Sequence, residues 1–349
     1  MMRFLAITLL FVALTACGQK ANNFTLTGAA MGTTYKVTVV RAPKTVDAHT
    51  TVAAIREVLA ITNSHFSNWD SMSEISRFND QQVTDPFAMS PPLQRLMATA
   101  QAVHIASEGR FDLTVGPLVE LWGFGASGGP PSRPQQSQIL DALQRVGQRR
   151  VLEIEDNGQM MRKTRPDAVV YLSSIAKGAG VDAVCARLRE LGIEHYLVEI
   201  GGDLRVSGNG PSGAGWRIGI ETPSVTTRAV DTAIRLTNSA MATSGDYRNY
   251  FDADGVRFSH VLDPTTGHPV AHRTTSVTVV ADTAALADAW ATALLVLGRD
   301  AGEAVAARYG IAAMFIERGD LVDGDASATL SRYASADFDR LLKADTLEP

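Results

Sequence analysis

The stretch from Thr283 to Leu297 most constrains how this chain can fold. Leu286, Trp290, Ala293, Leu294 and Leu297 form one helical stripe, and Ala284, Ala285, Ala291 and Leu295 occupy the other side. A helix that is apolar all round has to be covered on every side. Asp282 is placed to cap its start and Gly298 to end it. One charge lies inside it, Asp288, with Thr292 a turn further on the same side. A buried carboxylate needs a cation, and this helix offers none. Two readings stand. A hard metal ion sits on the carboxylate and hydroxyl, with small alanines leaving room. Alternatively, an Arg or Lys arrives from elsewhere in the chain.

Just upstream, the order Ser-His-Val-Leu-Asp-Pro puts His260 and Asp263 at the exit of a strand, followed by the turn Thr-Thr-Gly-His-Pro. Loops at strand ends commonly house chemistry. A lone His is often a hydrogen-bonded core residue and a lone Asp-Pro a turn. Beside a buried Asp downstream, the pair is better read as functional.

The 349 residues are 45% hydrophobic and 20% charged, enough for one large domain or two small ones. The net charge of −5 and the lack of a basic run exclude nucleic acid as an expected partner. Cys17 and Cys185 are the only cysteines, so there is no disulfide framework. Arg3, the short apolar run Phe4–Leu14 and the sequence Leu14-Thr15-Ala16-Cys17 are similar to a bacterial lipoprotein leader and cleavage box. The alternative is an ordinary signal peptide with an incidental cysteine. The lipoprotein reading divides the chain into a removed leader at 1–16, a lipidated Cys17 with tether at 17–24, and one domain over 25–349. Cys185 falls on the apolar side of a helix and reads as an inert core thiol.

Between these ends, Thr33–Val40 alternates as a strand and Ala48–Thr62 is an amphipathic helix. Trp69 sits in a polar loop, an unusual place for it. Ser90 and Pro91 open a helix to Ser107. The Gly/Pro/Ser-rich stretch at 123–136 reads as a surface loop and a possible subdomain boundary. Tyr171–Asp182 opens a helix in which Gly178, Ala179 and Gly180 weaken helical propensity. Small residues there let something approach the backbone closely, and Lys177 beside them suggests an anion such as phosphate. The P-loop pattern is absent. Further strands are expected at Tyr196–Ile200, Asp203–Ser207, Trp216–Glu221, Ala233–Thr237, Val256–Leu262, Ser276–Ala281 and Ala312–Glu317. Clustered strands with helices before and between them give an α+β class, not a regular βαβ alternation.

In the order Met31–Tyr35, Ser67–Asn79, Phe111–Gly125, Ser173–Val184, Glu199–Gly208, Ala242–Phe251, Ser259–Val270 and the helix above, these segments resemble the ApbE-type flavin transferases over nearly the whole mature chain. The resemblance implies a T-fold-like architecture, an antiparallel or mixed sheet with flanking helices. It implies FAD:protein FMN transfer: cleavage of the FAD pyrophosphate, attachment of FMN by a phosphoester to a Ser or Thr of an acceptor protein, release of AMP, and a need for Mg²⁺. By that resemblance Met31, Trp69, Arg110, Phe111, Asp112, Lys177 and Asp182 contact FAD, with Trp69 stacking on the flavin. The Gly180 carbonyl, Asp288 and Thr292 hold Mg²⁺. His260 and Asp263 activate the attacking hydroxyl or position phosphate. The implied acceptors are subunits of membrane redox pumps or periplasmic reductases, and the implied location is the periplasmic side of a membrane, expected to be the inner one, through a lipid anchor. Two positions depart from the usual pattern, with Tyr171 in place of an Asp and Ala179 in place of an aromatic. A metal-dependent FAD pyrophosphatase would use the same site on water. A lipid-anchored flavin-binding protein without turnover is a third reading, which intact Asp288, Thr292, His260 and Asp263 argue against.

Overall fold

The computed structural model of the chain describes residues 22–125, 130–223, 229–247, 249–253, 256–319 and 330–347. In chain order the elements are β1 (Phe24–Ala30), β2 (Thr33–Val39), α1 (Ala48–Phe66), α2 (Glu74–Asp80), β3 (Phe87–Ala88), α3 (Pro91–Ala106), α4 (Gly116–Leu121), α5 (Gln136–Leu143), α6 (Gln148–Val151), β4 (Leu152–Glu155) and β5 (Met160–Lys163). Then come α7 (Ala176–Glu190), β6 (Tyr196–Ile200), β7 (Asp203–Ser207), β8 (Trp216–Glu221), β9 (Val230–Leu236), β10 (Ala240–Gly245), β11 (Tyr250–Ala253), β12 (Val256–Ser259), β13 (Thr274–Ala281), α8 (Ala284–Tyr309), β14 (Ala312–Arg318), β15 (Leu330–Ala334) and α9 (Ala336–Leu347). The expected α+β class is the observed one.

Eight strands form one sheet in the order β1-β2-β6-β7-β10-β13-β14-β15, and every ladder in it is antiparallel. Successive side chains of a strand point to opposite faces, and both faces here are covered. Ala242, Val277, Val279, Ala313 and Phe315 pack under α8 in the largest apolar cluster. Their neighbours Met241, Met314 and Ile316 pack with Phe338 of α9 and with the β8–β9 hairpin. That double coverage explains why β13 reads as an unbroken buried run from Thr274 to Val279.

The helix α8 is buried as its sequence requires, but its ends differ from expectation. Its cap is Thr283, whose hydroxyl accepts from Leu286 N, and not Asp282. Gly298 interrupts the helix without ending it. Its φ of 72° breaks the helical path, and a Cβ there would lie 2.6 Å from the His272 ring, after which the helix runs on to Tyr309.

The flanks of the 123–136 stretch pack together. Leu118 and Trp122 share a cluster with Ile139, Ala142 and Val146, and the Trp122 indole donates to Gly267 O at 2.9 Å.

Candidate active site

Strands β7 and β10 pair only where Leu204 and Arg205 meet Met241 and Ala240. Beyond that point Thr243, Ser244 and Gly245 have a strand partner only in β13. A cleft of about 480 Å³ opens there, between the end of β10, the start of α7 and the second turn of α8. It gathers Trp69, Arg110, Phe111, Asp112, Lys177, His260, Asp288 and Thr292 from segments far apart in sequence.

Its base is set by a helix crossing. A Cβ on Gly178 would lie 2.3 Å from Ala284 O, so only glycine lets α7 meet α8 backbone to backbone. Gly178 therefore makes room for a helix. The crossing delivers Lys177 to Asp288, which is 3% exposed. Lys177 Nζ donates to Asp203 at 2.7 Å and to Asp288 at 3.2 Å, and Gly178 N donates to Asp288 at 3.3 Å. Two carboxylates share one ammonium. Burial opposes the charge on Lys177, but Asp288 and Asp203 together outweigh it and push its pKa above the ordinary lysine value. Asp203 is pushed up by its burial and then by the negative charge of Asp288, with Lys177 acting against both. Along α8, Thr292 meets Ser244 hydroxyl to hydroxyl at 3.2 Å.

At the other wall, His260 follows β12 directly. A carbonyl only accepts, so His260 Nδ1 carries the proton that it donates to Asn249 O at 2.9 Å. Nε2 is then the basic nitrogen. Burial pushes the imidazole pKa below its ordinary value, against the Asn249 hydrogen bond and the charge of Asp246. The mouth of the cleft carries two aromatic rings. Trp69 is 67% exposed and meets Tyr171 edge-on at 6.4 Å between centroids. Tyr171, the residue that departs from the family pattern, is anchored by its hydroxyl, which donates to Glu120 at 2.7 Å.

Several expected site residues hold the scaffold instead. Asp182 caps the start of α8 from outside, accepting from Ala284 N at 3.1 Å and Ala285 N at 3.0 Å while pairing with Arg205 at 2.6 Å. It is not among the residues lining the cleft. Gly180 lies mid-helix, where carbonyls are taken by the helical ladder, and its α-carbon faces Met31 Sδ and Ile200. In the same segment Ser173 and Ser174 line the cleft instead. Met31, at the β1–β2 turn with φ 52°, packs on Gly180 outside the cleft lining. Asp112 spends its carboxylate on Thr114 N, Thr114 Oγ1 and Gln148 N. Asp263 makes no dyad with His260. One oxygen binds Arg110 at 2.5 Å and the other accepts from Thr265 N and Oγ1, so Asp263 aims the guanidinium that lines the cleft. Asp203, in the segment Glu199–Gly208, and Ser244 and Asn249, in Ala242–Phe251, carry no local sequence pattern that marks them. Cys185 is a buried thiol pushed up to about 12 by burial and the nearby Asp182, as an inert core cysteine should be.

Comparison with known proteins identifies this assembly. The family model described as the ApbE family matches residues 31–315. The chain is 42% identical over 325 residues to the FAD:protein FMN transferase of Vibrio cholerae, covering 93% of this chain and 94% of that one. It is 37% identical over 264 residues to the FAD:protein FMN transferase of Escherichia coli K12, covering 75% and 74%. Among solved structures it superposes on the flavin transferase ApbE of Vibrio cholerae with a TM-score of 0.82 at 39% identity, over 92% of this chain and 99% of that one. The apo flavinyl transferase ApbE of Pseudomonas stutzeri gives 0.81 at 35% identity, over 92% and 96%. A match across most of the chain, at such identities and with the same fold, means that this chain belongs to the ApbE family of flavin transferases.

Proposed function

We propose that the cleft transfers FMN from FAD to a Ser or Thr hydroxyl of an acceptor protein and releases AMP. One observation carries the reading. One cleft holds a paired lysine and carboxylate, a histidine whose basic nitrogen is Nε2, and two aromatic rings. The flavin ring stacks on Trp69, with Tyr171 closing the side. Lys177 and the Arg110 that Asp263 aims bind the pyrophosphate oxygens, on which charge accumulates during phosphoryl transfer. The acceptor oxygen bonds to the phosphorus of the FMN half while the bond from that phosphorus to the AMP oxygen breaks. The hydroxyl proton passes to His260 Nε2.

Among the described residues no three His, Cys, Asp or Glu side chains cluster as a metal cage. The donors present are one buried carboxylate and two hydroxyls, which suits a hard cation that keeps water and phosphate as its other ligands. Asp288, Thr292 and Ser244 would hold Mg²⁺. When bound, it supplies further positive charge to the pyrophosphate.

The test is incubation of the protein with FAD, Mg²⁺ and candidate acceptors, followed by intact-mass measurement. An acceptor gaining one FMN supports the reading, and FMN and AMP appearing with no acceptor modified would replace it with hydrolysis. Redox-pump and periplasmic reductase subunits are the first acceptors to try. For location, Cys17 is the proposed lipid anchor on the periplasmic face of the inner membrane. It lies outside the described residues, and no helix among those is long and apolar enough to cross a membrane. Retention of Cys17→Ala in the membrane fraction would remove the anchor.

A further inference from the structure

A second cavity, of about 660 Å³, lies between α1, α3, α7 and the first turn of α8. It shares no lining residue with the flavin cleft. At 100° per residue, Ala179, Asp182, Ala183 and Ala186 lie on the side of α7 opposite Lys177, so the two sites stand back to back. The floor is apolar, built from Val58, Ile61, Phe66 and Leu96, and Ile61 is 50% exposed. The rim is cationic. Arg205 is matched by Asp182 and Arg187 by Glu190. Arg95 and Arg189 have no carboxylate partner among the described residues. The Nε of Arg189 donates to Cys185 O.

We propose that this cavity binds an organic anion, with its apolar part on Val58, Ile61 and Leu96 and its carboxylate or phosphate on Arg95 and Arg189. Two uncompensated guanidinium groups over an apolar floor match the two halves of such a ligand. Arginine presents its donors in a fork that fits both anions. Ile61, half exposed within a concave site, gains by being covered.

Calorimetric titration of decyl phosphate into the full-length protein tests this, with and without saturating FAD and without Mg²⁺. The expected result is saturable binding in both states, weaker for inorganic phosphate alone. It should weaken by about tenfold or more in Arg95→Ala/Arg189→Ala and in Ile61→Asp, with FAD affinity unchanged. All three positions are solvent-exposed, so these variants fold. Displacement of decyl phosphate by FAD, wild-type affinity in both variants, or no saturable binding would each overturn the proposal. Sedimentation of the Cys17→Ala protein with phosphatidylglycerol vesicles separates the sources of the anion. Sedimentation that depends on Arg95 and Arg189 assigns a lipid headgroup, and its absence beside retained decyl phosphate binding assigns a free anion.

Discussion

The ammonium of Lys177 lies 3.2 Å from the carboxylate of Asp288, across the crossing of α7 and α8. Helix α8 could not bury Asp288 alone. The crossing brings it a cation, and Asp203 adds a second carboxylate at 2.7 Å from the same ammonium. The two readings of Asp288 offered by the sequence are therefore not exclusive. A lysine does arrive from elsewhere, yet the Asp288 carboxylate still lines the cleft together with Thr292, where a cation would meet both.

Asp288→Asn follows from this. Removing one partner of a buried pair usually strands a charge at a cost of about 3–5 kcal/mol. Here Lys177 keeps Asp203, so the loss in metal-free stability should stay below about 2 kcal/mol. Transfer should fall by about a hundredfold or more, because the charge that would hold Mg²⁺ is gone. Metal-free melting and the mass assay for FMN transfer check this together. A destabilised variant that still transfers FMN at the wild-type rate would sink the metal assignment.

His260→Ala should slow transfer by about 10²–10⁴ while leaving FAD affinity intact. In the wild type, burial lowers the imidazole pKa. The base therefore stays neutral to a lower pH, and the acid limb of the rate profile should fall below the usual histidine range. The sign for stability is fixed as well. Between the folded and unfolded pKa values the unfolded chain binds more protons, so stability drops as pH falls from about 6.5 and levels off below the folded pKa. His260→Ala should lose that drop, which comparing the two melting curves across pH would reveal.

Trp69→Ala should weaken FAD binding by about 1–3 kcal/mol, the usual worth of stacking on an aromatic ring. An indole this exposed supports little of the fold, so melting should move by less than the equivalent of about 0.5 kcal/mol. Unchanged FAD affinity would rule out the stacking role.

What the sequence reveals and what it hides divide along one line. Local features are legible: Ser90 with Pro91 starts α3, and Trp69 in a polar loop marks the mouth of the cleft. The lone charge in an apolar helix locates the base of the cleft. Partnerships over long separations are not legible. Asp288 meets Lys177 from 111 positions away, and nothing near Asp182 shows that its carboxylate will cap α8 from 102 positions upstream. Strand β1 also escapes a pattern reading, because Gly28, Ala29 and Ala30 do not look like a strand. Yet a Cβ at Gly28 would lie 2.5 Å from the Tyr35 ring, so the glycine is there to let that ring lie against the strand. His260 and Asp263, three positions apart in sequence and similar in promise, separate only in three dimensions, one toward Asn249 and the other toward Arg110.

Gly178→Ala tests the crossing on which the site depends. An alanine normally strengthens a helix by about 1 kcal/mol over glycine. If Gly178 were small only to admit phosphate, the substitution would weaken FAD binding and raise melting. At the crossing the opposite holds. The new methyl would lie 2.3 Å from Ala284 O and 2.6 Å from Ala285 N, both backbone atoms that cannot turn aside. The helices would have to separate, which also pulls the Asp182 carboxylate from Ala284 N and Ala285 N. A loss of about 1–3 kcal/mol is expected, the range for overpacking a tight core. Lys177 would move away from Asp288, so transfer should fall more than FAD affinity does. Ser at the same position should be no better, since its Cβ meets the same atoms. Melting, FAD titration and transfer rate on both variants decide between the two roles, and a stabilised Gly178→Ala protein with weakened FAD binding would overturn the crossing as the reason for this glycine.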